Sequence, residues 1–328
     1  MSTAAKIIDA MLEFPIAPSF TRIGLEARRR LFDWRDVSSY DLTRRVIVVT
    51  GATSGLGRAA ASQFARDGAT VVVVGRNPDK TAVVVAELRE STGNPKVGAV
   101  VADMGDFGSV RRAAEEILSV HDRIDVLIHN AGALTHHRSD APDGTEATVA
   151  SQVVGPFLLT CLLLERLRES AQARVITMSS GGMYTAELTV DGLQMDAGAY
   201  NGTKQYALAK RAQVTLNEMW AERVDRQSVV FHAMHPGWAD TPGVEESLPT
   251  FRKIVGPLLR DADGGADTMV WLAADDGEPL ATTGGFWLDR RVRPIHRFAR
   301  TRRSDTPERR DELWEWVTER AGCSPPTR

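Results

Sequence analysis

Short runs of apolar residues recur along the chain from position 45 onward, and longer stretches with the spacing of amphipathic helices separate them. The helical stretches include Gly108–Val120 and Ala207–Arg223. Apolar strands that alternate with helices are typical of a parallel sheet that is covered by helices on both faces. We therefore predict a doubly wound α/β fold with seven parallel strands: Val46–Val49, Thr70–Val74, Val97–Val101, Val126–Ile128, Val175–Met178, Val229–Ala233 and Gly285–Leu288.

Residues 1–43 precede this pattern and contain two segments with an apolar face. One segment is rich in arginine and runs from Ile23 to Phe32. The other is a short amphipathic stretch built on Ile7, Ile8, Met11, Leu12 and Phe14. We expect both to pack across the outer surface of the domain, and a weak contact with a membrane surface or a partner is the alternative.

The chain after Leu288 is rich in arginine. Thr306 and Pro307 are the residue types of a helix N-cap and of a first helical position, and they predict a helix to about Arg320. A solvated tail with local ion pairs is favoured over a basic patch for polyanions. We expect the chain to divide into a partly helical extension at 1–43, the main domain at 44–290 and a basic tail with a helix at 291–328.

Composition narrows the classes of function. The 328 residues carry a formal net charge of −3, which gives no reason to expect nucleic acid as a partner. The two cysteines, Cys161 and Cys323, are too few for a disulfide framework, so the cytoplasm is the expected compartment. We expect no apolar run that approaches the ~20 residues needed to cross a bilayer. A homo-oligomer is compatible with this composition.

The first predicted strand runs directly into a glycine-rich turn, Thr50-Gly-Ala-Thr-Ser-Gly-Leu-Gly57, and a helix-like stretch follows. Glycines at 51, 55 and 57 have no side chain, so backbone N–H groups and a helix N-terminus can approach a pyrophosphate. This arrangement predicts a dinucleotide-binding domain of the Rossmann type.

The end of the second predicted strand bears on the choice of cofactor. Gly75-Arg76 stands where a protein that uses NAD(H) usually has an acidic residue for the ribose hydroxyls. Arg76 could instead make charge-assisted hydrogen bonds to a 2′-phosphate. We expect NADP(H) to be preferred, with NAD(H) as the alternative.

Two tyrosine–lysine pairs have the spacing that brings a phenol and an ammonium onto one face of a helix. They are Tyr206 with Lys210 and Tyr200 with Lys204. Such a pair beside a dinucleotide indicates that a proton is moved in the reaction.

Together these motifs resemble the short-chain dehydrogenase/reductase family over about residues 44–290, and within it the retinol-dehydrogenase-like branch. Further matching motifs follow successive strands: Asp103, Asn130-Ala131-Gly132, Ser179-Ser180 and Pro236-Gly237. The resemblance implies that Asp103 meets the adenine, that Asn130 braces the central strands and that Thr241 holds the carboxamide. The implied cofactor-binding residues are Gly51, Thr53, Ser54, Gly55, Leu56, Gly57, Arg76, Asp103, Met104, Asn130, Ala131, Gly132, Tyr206, Lys210, Pro236, Gly237 and Thr241.

The same resemblance distinguishes the two tyrosine–lysine pairs. Lys210 lies 25 residues before His235, which is the usual distance in the family from this lysine to the Pro-Gly motif. Lys204 would require six extra residues in the intervening helix. Tyr206 and Lys210 are therefore favoured, and Tyr200 is expected in a loop beside the site.

The expected chemistry depends on the pKa of a tyrosine, which is near 10 in water. Lys210 and a positively charged nicotinamide would lower the pKa of Tyr206, whose phenol could then exchange a proton with a carbonyl or alcohol oxygen. Ser180 would hydrogen-bond the same oxygen. Gln152 stands where the family commonly has an asparagine of a proton relay, so we expect this relay to be altered or unused.

Apolar residues after the Pro-Gly motif would form a lid over the nicotinamide and favour a lipophilic substrate, although each could simply pack on the domain. These residues are Trp238, Leu248, Phe251, Val255, Leu258 and Leu259.

The histidines offer a competing interpretation. His136/His137 and His232/His235 do not have the arrangement of a zinc site, and no metal is expected. We predict an NADP(H)-dependent oxidoreductase that interconverts a carbonyl and an alcohol on a small molecule. The alternative is a dinucleotide-binding regulatory or scaffold protein without turnover.

Overall fold

The computed structural model of the protein describes residues 3–13, 16–247 and 249–326. Its centre is one sheet of eight strands in the order β3-β2-β1-β4-β5-β6-β7-β8. The strands are β1 Val46–Thr50, β2 Thr70–Gly75, β3 Val97–Val101, β4 Val126–His129, β5 Ala173–Met178, β6 Val229–Met234, β7 Gly285–Leu288 and β8 Arg291–Val292. Strands β1 to β7 pair in parallel, which confirms the predicted parallel sheet.

The eighth strand was not predicted. β8 is two residues long and pairs antiparallel with β7, after a turn in which Asp289 and Arg290 have φ values of 54° and 53°. A strand this short leaves neither an apolar run nor an alternating pattern in the sequence, so the predicted count of seven is one too low.

The helices cover both faces of the sheet. Alternate residues of β1 and β2 enter two different apolar clusters: Val48 and Val72 pack with α6, α8 and α9, while Ile47 and Val71 pack with α4, α5 and α12. The helices are α1 Thr3–Glu13, α2 Ile16–Phe20, α3 Arg22–Leu31, α4 Gly55–Arg66, α5 Pro78–Thr92, α6 Phe107–Val120, α7 Ala147–Val149, α8 Gly155–Arg168, α9 Gly202–Arg223, α10 Pro242–Ser247, α11 Pro249–Val255, α12 Ala262–Ala274, α13 Glu278–Ala281, α14 Ala299–Ser304 and α15 Pro307–Ala321.

Local sequence fixes where several helices begin. The side chain of Asn77 accepts a hydrogen bond from the Lys80 N–H at 2.9 Å and caps α5. The hydroxyl of Thr306 accepts one from the Arg309 N–H at 3.4 Å and caps α15. The predicted cap and helix at the C-terminal end are thereby confirmed.

The register brings the carboxyl ends of the central strands to one edge of the sheet. Thr50 lies beside Val74, and Met178 lies beside Met234. The order of the strands reverses between β1 and β4, which is the place where doubly wound sheets bind their ligands. Every motif that follows a strand therefore opens onto the same edge.

One helical stretch departs from the expectation about apolar runs. Ala147–Arg168 is long and apolar enough to cross a membrane by length and composition alone. It consists of α7, a π-helical turn and α8, and 78% of its apolar window is buried inside the protein. This stretch is a core helix that packs against α6 and α9.

The N-terminal helices are held to the main domain by buried charges. Arg28 of α3 is fully buried and pairs with Asp9 at 2.7 Å, Glu13 at 2.9 Å and Asp289 at 2.6 Å. The segments thus pack on the domain, as the favoured interpretation predicted. The outer face of α1 leaves three apolar side chains exposed: Ile7, Ile8 and Met11. Phe14 and Leu248, named above, lie outside the described residues.

Two of the arginines after Leu288 are buried, whereas others of the predicted tail are exposed: Arg300, Arg302, Arg303 and Arg309. Arg290 and Arg293 are only 6% and 8% exposed. Arg290 pairs with Asp267 at 2.7 Å, and Arg293 pairs with Asp9 at 2.8 Å. These arginines are internal cross-links between segments that are far apart in the sequence, so the prediction of a solvated tail is wrong for them.

Candidate active site

The glycine-rich turn joins β1 to α4 at the carboxyl edge of the sheet. Gly51 and Gly55 have φ values of 65° and 53°, in the left-handed region that favours glycine. Ser54, the N-cap residue of α4, makes no side-chain capping hydrogen bond with any described residue. The first-turn N–H groups of α4 are therefore available to an anion.

Asn130, which follows β4, ties this turn to the centre of the sheet. Its Nδ2 donates to the carbonyl oxygens of Thr50 at 3.0 Å and Gly51 at 3.1 Å. A Cβ on Gly57 would lie 2.3 Å from that Nδ2, and a Cβ on Gly51 would lie 2.7 Å from the Cα of Ala131. Glycines at these positions let the turn approach the end of β4.

Arg76 lies at the end of β2, beside the same turn. A Cβ on the preceding Gly75 would lie 2.6 Å from Cγ2 of Thr53, so the two segments are in contact. The Arg76 side chain is exposed and makes no hydrogen bond or ion pair with any described residue. A guanidinium in this position fits a second phosphate group close to the pyrophosphate.

Asp103 and Met104 follow β3 at the same edge. Oδ1 of Asp103 accepts a hydrogen bond from the Gly105 N–H at 2.9 Å, and the residue is partly exposed. Met104 is buried, and its carbonyl oxygen would lie 2.0 Å from a Cβ on Gly155. The loop after β3 is thereby held against the start of α8.

Tyr206 and Lys210, one turn apart in α9, lie beside Ser180 at the end of β5. The Ser180 hydroxyl lies close enough to the Tyr206 phenol to lower its pKa. Nζ of Lys210 is 5.2 Å from the centre of the Tyr206 ring and donates to the Met178 carbonyl oxygen at 2.8 Å. The Ser179 hydroxyl donates to the Lys210 carbonyl oxygen at 3.1 Å, which fastens α9 to the end of β5.

Burial dominates the pKa values of this pair. It raises the pKa of Tyr206 to about 12, and the neighbouring Ser180 hydroxyl opposes that shift. Burial also lowers the pKa of Lys210 to about 7. The expected lowering of the tyrosine pKa is not found here, because burial of the phenol dominates.

The competing pair is differently placed. Tyr200 precedes α9, and its hydroxyl donates to Oε1 of Glu146 at 3.0 Å and lies 3.2 Å from the Thr135 hydroxyl. Lys204 is exposed in the first turn of the helix. The Tyr200 phenol is therefore engaged away from Ser180.

Gln152 lies in the π-helical turn Ala150–Val154 and is 1% exposed. Its Nε2 donates to the Ala133 carbonyl oxygen at 2.7 Å. The backbone carbonyl oxygen of Gln152 accepts a hydrogen bond from Nε2 of Gln213 at 2.5 Å. A Cβ on Gly132 would lie 2.8 Å from Oε1 of Gln152, so glycine makes room for the longer amide. The glutamine is thus engaged with the loop after β4 and with α9.

The loop after β6 carries Pro236, Gly237 and Thr241 to the same edge. Gly237 has a φ of 76°, and a Cβ on Gly55 would lie 3.5 Å from the Thr241 side chain. The glycine-rich turn and this loop therefore face each other. Trp238 and Phe251 of the predicted lid pack edge to face, with ring centroids 5.1 Å apart.

A surface cavity of about 490 Å³ lies in the lid region and is lined by polar and charged side chains as well as glycine and proline: Asp240, Glu245, Pro249, Arg252, Lys253 and Gly256. Ser180 and Tyr206 are not among its lining residues within the described part of the chain. We therefore locate the reaction site by the side-chain geometry around Ser180 and not by this cavity.

Sequence reasoning missed two residues that contact the loop after β6. The Trp238 N–H donates to the Phe20 carbonyl oxygen at 2.7 Å. Arg260 donates to the Pro236 carbonyl oxygen at 3.2 Å. Neither residue belongs to a local motif, and Phe20 comes from a segment more than two hundred positions earlier, so the sequence contains no pattern that would reveal them.

Comparisons with known proteins agree with the arrangement at this edge. The family profile described as short chain dehydrogenase matches residues 45–250. The chain is 35% identical over 302 residues to bovine dehydrogenase/reductase SDR family member 12, covering 92% of this chain and 94% of the relative. It is 34% identical over 281 residues to bovine retinol dehydrogenase 12, covering 85% of this chain and 86% of that one.

A solved structure has the same fold. A short-chain dehydrogenase from Escherichia coli CFT073, complexed with NADPH, superposes with a TM-score of 0.62 at 26% identity, covering 78% of this chain and all 100% of that one. The resemblance to the retinol-dehydrogenase-like branch is thereby confirmed. The chain belongs to the short-chain dehydrogenase/reductase family, and it is an oxidoreductase that acts on CH–OH or C=O groups with NAD(P).

Proposed function

We propose that this protein is an NADP(H)-dependent oxidoreductase that interconverts a carbonyl and an alcohol on a lipophilic small molecule. Tyr206 exchanges the proton, Ser180 hydrogen-bonds the reacting oxygen and Lys210 supports the tyrosine. The observation that carries the proposal is the position of Lys210, whose Nζ lies 5.2 Å from the centre of the Tyr206 ring, beside Ser180 and at the edge that holds the glycine-rich turn.

The residues present fit a dinucleotide with an extra phosphate. The glycine-rich turn offers uncapped N–H groups to a pyrophosphate, and the exposed Arg76 lies in contact range of that turn through Gly75 and Thr53. Asp103 and Met104 would lie against the adenine, and Pro236, Gly237 and Thr241 against the nicotinamide. The bound cofactor supplies or accepts the hydride. The NADPH held by the E. coli relative supports the preference for NADP(H).

The chain's own groups manage the proton. With a pKa near 12, Tyr206 is protonated at neutral pH and so can donate its proton to a carbonyl oxygen during reduction. Ser180 donates a hydrogen bond to that oxygen and polarises it. Lys210, whose pKa of about 7 lets it change protonation state near neutral pH, stabilises the phenolate that is left.

A lipophilic substrate is supported by the loop after β6. Trp238 and Phe251 present aromatic surface beside the proposed nicotinamide position, and Leu258 is an exposed apolar side chain of the same predicted lid. Retinol, named for the bovine relative, is a lipophilic alcohol, which agrees with this class of substrate. We further propose a cytoplasmic location, which the two free thiols support.

One feature favours a different role, that of a dinucleotide-binding scaffold without turnover. Gln152 replaces the relay asparagine of the family, and its Nε2 is already engaged by the Ala133 carbonyl oxygen, while its buried Oε1 has no hydrogen-bond partner among the described residues. A protein of this kind would bind NADPH and leave carbonyl compounds unchanged.

The test is NADPH oxidation with a panel of ketones, aldehydes and quinones, using wild-type protein and two matched variants. Tyr206→Phe removes the acid–base oxygen and should reduce turnover by about 10²–10⁴-fold, the usual loss for a general acid. Tyr200→Phe removes a phenol of the same size six positions away and should change turnover only slightly. A loss confined to Tyr200→Phe would overturn the assignment of Tyr206, and tight NADPH binding without turnover would favour the scaffold.

A further inference from the structure

Arg260 is a buried arginine at the end of the lid, 2% exposed, whose guanidinium connects three parts of the chain. It donates to the carbonyl oxygens of Ser19 and Phe20, each at 3.0 Å. It donates to the Pro236 carbonyl oxygen at 3.2 Å and to both oxygens of Asp289 at 2.6 and 3.0 Å. No lysine could make all these contacts, because they use the three nitrogens of a planar fork.

Asp289 carries a second arginine. Arg28 of α3 donates to Oδ2 of Asp289 at 2.6 Å, and all three side chains are essentially buried. Burial alone would raise the pKa of Asp289, but Arg260 and Arg28 lower it overall, so the carboxylate is charged. Asp9 and Glu13 of α1 pair with Arg28 in turn. The ion pairs therefore join helices α1 and α3 to Asp289 and Arg260 in one buried network.

Arg260 and Phe20 together hold the loop after β6. A Cβ on Gly237 would lie 2.3 Å from Cζ of Arg260, so the loop lies directly on the guanidinium. The backbone N–H of Arg260 donates to the Trp238 carbonyl oxygen at 2.8 Å, and the backbone N–H of Trp238 donates to the Phe20 carbonyl oxygen at 2.7 Å. The Phe20 ring packs edge to face on His235, with centroids 4.3 Å apart, and on Trp238 at 5.8 Å.

We infer that Arg260 is a positioning residue and that helices α1 to α3, which we call the N-terminal arm, form part of the reaction site by holding the 236–241 loop. The arm supplies the Phe20 ring and the Ser19 and Phe20 carbonyl oxygens, which accept hydrogen bonds from Arg260 beneath that loop. This inference rests on the proposed function, in which the loop holds the nicotinamide half of NADP(H). The adenine half of NADP(H) lies at the glycine-rich turn and Arg76, which Arg260, Asp289 and Arg28 do not contact.

The test compares two ligands on the full chain by calorimetry. NADPH reaches both halves of the site, whereas adenosine 2′,5′-bisphosphate has the adenine and the 2′-phosphate but lacks the nicotinamide. Arg260→Lys should weaken NADPH binding about tenfold, the order expected when hydrogen bonds to a charged group are lost, and should leave bisphosphate binding within about twofold. Phe20→Leu keeps the carbonyl and loses the ring contacts, so it should weaken NADPH binding in the same selective way by about threefold.

Arg174→Lys is the matched control. Arg174 is also 2% exposed and pairs with Asp276, but it lies at the amino end of β5, across the sheet from the site. This change should lower the melting temperature and leave both affinities unaltered. Phe20→Leu decides the question if Arg260→Lys fails to fold.

The possible results distinguish a failure of the positioning role from a failure of the proposed function. Equal losses for NADPH and the bisphosphate in both variants, or no loss for either ligand, would overturn the positioning role while the proposed function stands. A wild type that binds neither ligand would overturn the proposed function and the positioning role with it.

A second inference comes from a separate observation, the contact between the two cysteines. Sγ of Cys323, just after α15, lies 2.7 Å from Sγ of Cys161 in α8, although 162 positions separate them in the sequence. Both residues are partly exposed. Arg111 donates to the carbonyl oxygens of Ala321 and Gly322 at 2.7 and 2.9 Å, which places its positive charge beside Cys323.

The environment makes the two thiols unequal. The Arg111 guanidinium lies beside Cys323 and lowers the pKa of its thiol, whereas burial raises the pKa of the Cys161 thiol. Cys323 is therefore the thiol that forms a thiolate more readily.

We propose that Cys161 and Cys323 form a reversible disulfide that fastens α15 to α8. With a small-molecule disulfide as oxidant, the Cys323 thiolate attacks one sulfur and releases the first thiol. Cys161 then loses its proton, attacks the Cys323 sulfur and releases the second thiol. Two protein thiols are oxidised and one small disulfide is reduced to two thiols, so atoms and electrons balance.

The test is incubation of the native protein with oxidised glutathione, followed by thiol titration and intact mass. We expect both titratable thiols to disappear with the loss of two hydrogens, and reduced glutathione to restore them. The melting temperature should rise in the oxidised protein, since the bond closes a long loop of the unfolded chain. Cys161→Ser lacks the second thiol of the exchange, so it should retain one glutathione on Cys323 and show no such rise. Stable addition of glutathione to either cysteine of the wild type, or two wild-type thiols that persist, would overturn the proposal.

Discussion

Replacing the buried lysine of the site by methionine should make the protein more stable at low pH while abolishing turnover. Lys210 is 2% exposed, and its ammonium has one described hydrogen-bond acceptor, the Met178 carbonyl oxygen at 2.8 Å. Methionine has a similar length and suits an apolar environment, so Lys210→Met removes a charge that burial disfavours.

The magnitude follows from the pKa of Lys210, which burial lowers from 10.5 to about 7. Between those two values the unfolded chain binds the proton and the folded chain does not, so the wild type gains about 1.4 kcal/mol of stability per pH unit as the pH rises. From pH 6 to pH 9 the pH crosses two units of this window. The wild type should therefore gain about 2–3 kcal/mol relative to Lys210→Met.

The assay is urea unfolding of both proteins at pH 6 and pH 9. Taking the difference between the two proteins cancels the buried histidines His129, His232 and His235, whose pKa values burial also lowers. Lys204→Met, a change at an exposed lysine of the same helix, should show no pH-dependent difference from the wild type. Parallel pH profiles for the wild type and Lys210→Met would refute the reasoning, because they would mean that Lys210 keeps an ordinary pKa in the folded protein.

Three further outcomes are expected. Arg76→Ala should weaken NADPH binding by about 1.5–3 kcal/mol and leave NADH binding nearly unchanged, with Arg66→Ala as the charge-matched control; equal losses for both cofactors in a calorimetric titration would contradict the preference for NADP(H). Gly57→Ala should cost about 1–3 kcal/mol in thermal unfolding, since its Cβ would lie 2.3 Å from Nδ2 of Asn130, whereas Gly98→Ala meets no atom within 4 Å and should be nearly neutral. The exposed face of α1 should allow at most salt-sensitive binding to anionic vesicles, and flotation that resists high salt would exclude this interpretation.

The sequence predicted the sheet well because each central strand is an apolar run buried on both faces. Residues 97–101 and 285–288 have the predicted bounds, and the other predicted strands are longer by one or two residues. The burial and the ion-pair partners of the charged residues were predicted less well. Arg28 pairs with Asp289, which lies 261 positions later, and no local pattern reveals such a partner. An arginine-rich stretch has the same composition whether it is solvated or buried in ion pairs.

Prediction of the candidate site shows the same division. The glycine-rich turn, Ser180 and Tyr206 were found because each follows or faces a strand end at a fixed spacing, and parallel strands bring those ends to one edge. The pKa values could not be predicted, because they depend on how completely the fold removes water from Tyr206 and Lys210. Spacing gives the neighbours of a group but not its solvation.

Solvation also explains why this lysine matters. If Lys210 destabilises the folded protein below pH 7, packing does not account for its presence, since methionine would fill the same space without the buried charge. A group whose pKa is moved close to neutral pH can take up and release a proton during turnover, which an exposed lysine near 10.4 does poorly. The Ser179 hydroxyl donates to the Lys210 carbonyl oxygen and fastens the backbone of the lysine to the end of β5. In the proposed reaction, stability and chemistry make opposite demands at position 210, and a variant that is more stable at pH 6 and inactive would support a chemical reason for the lysine there.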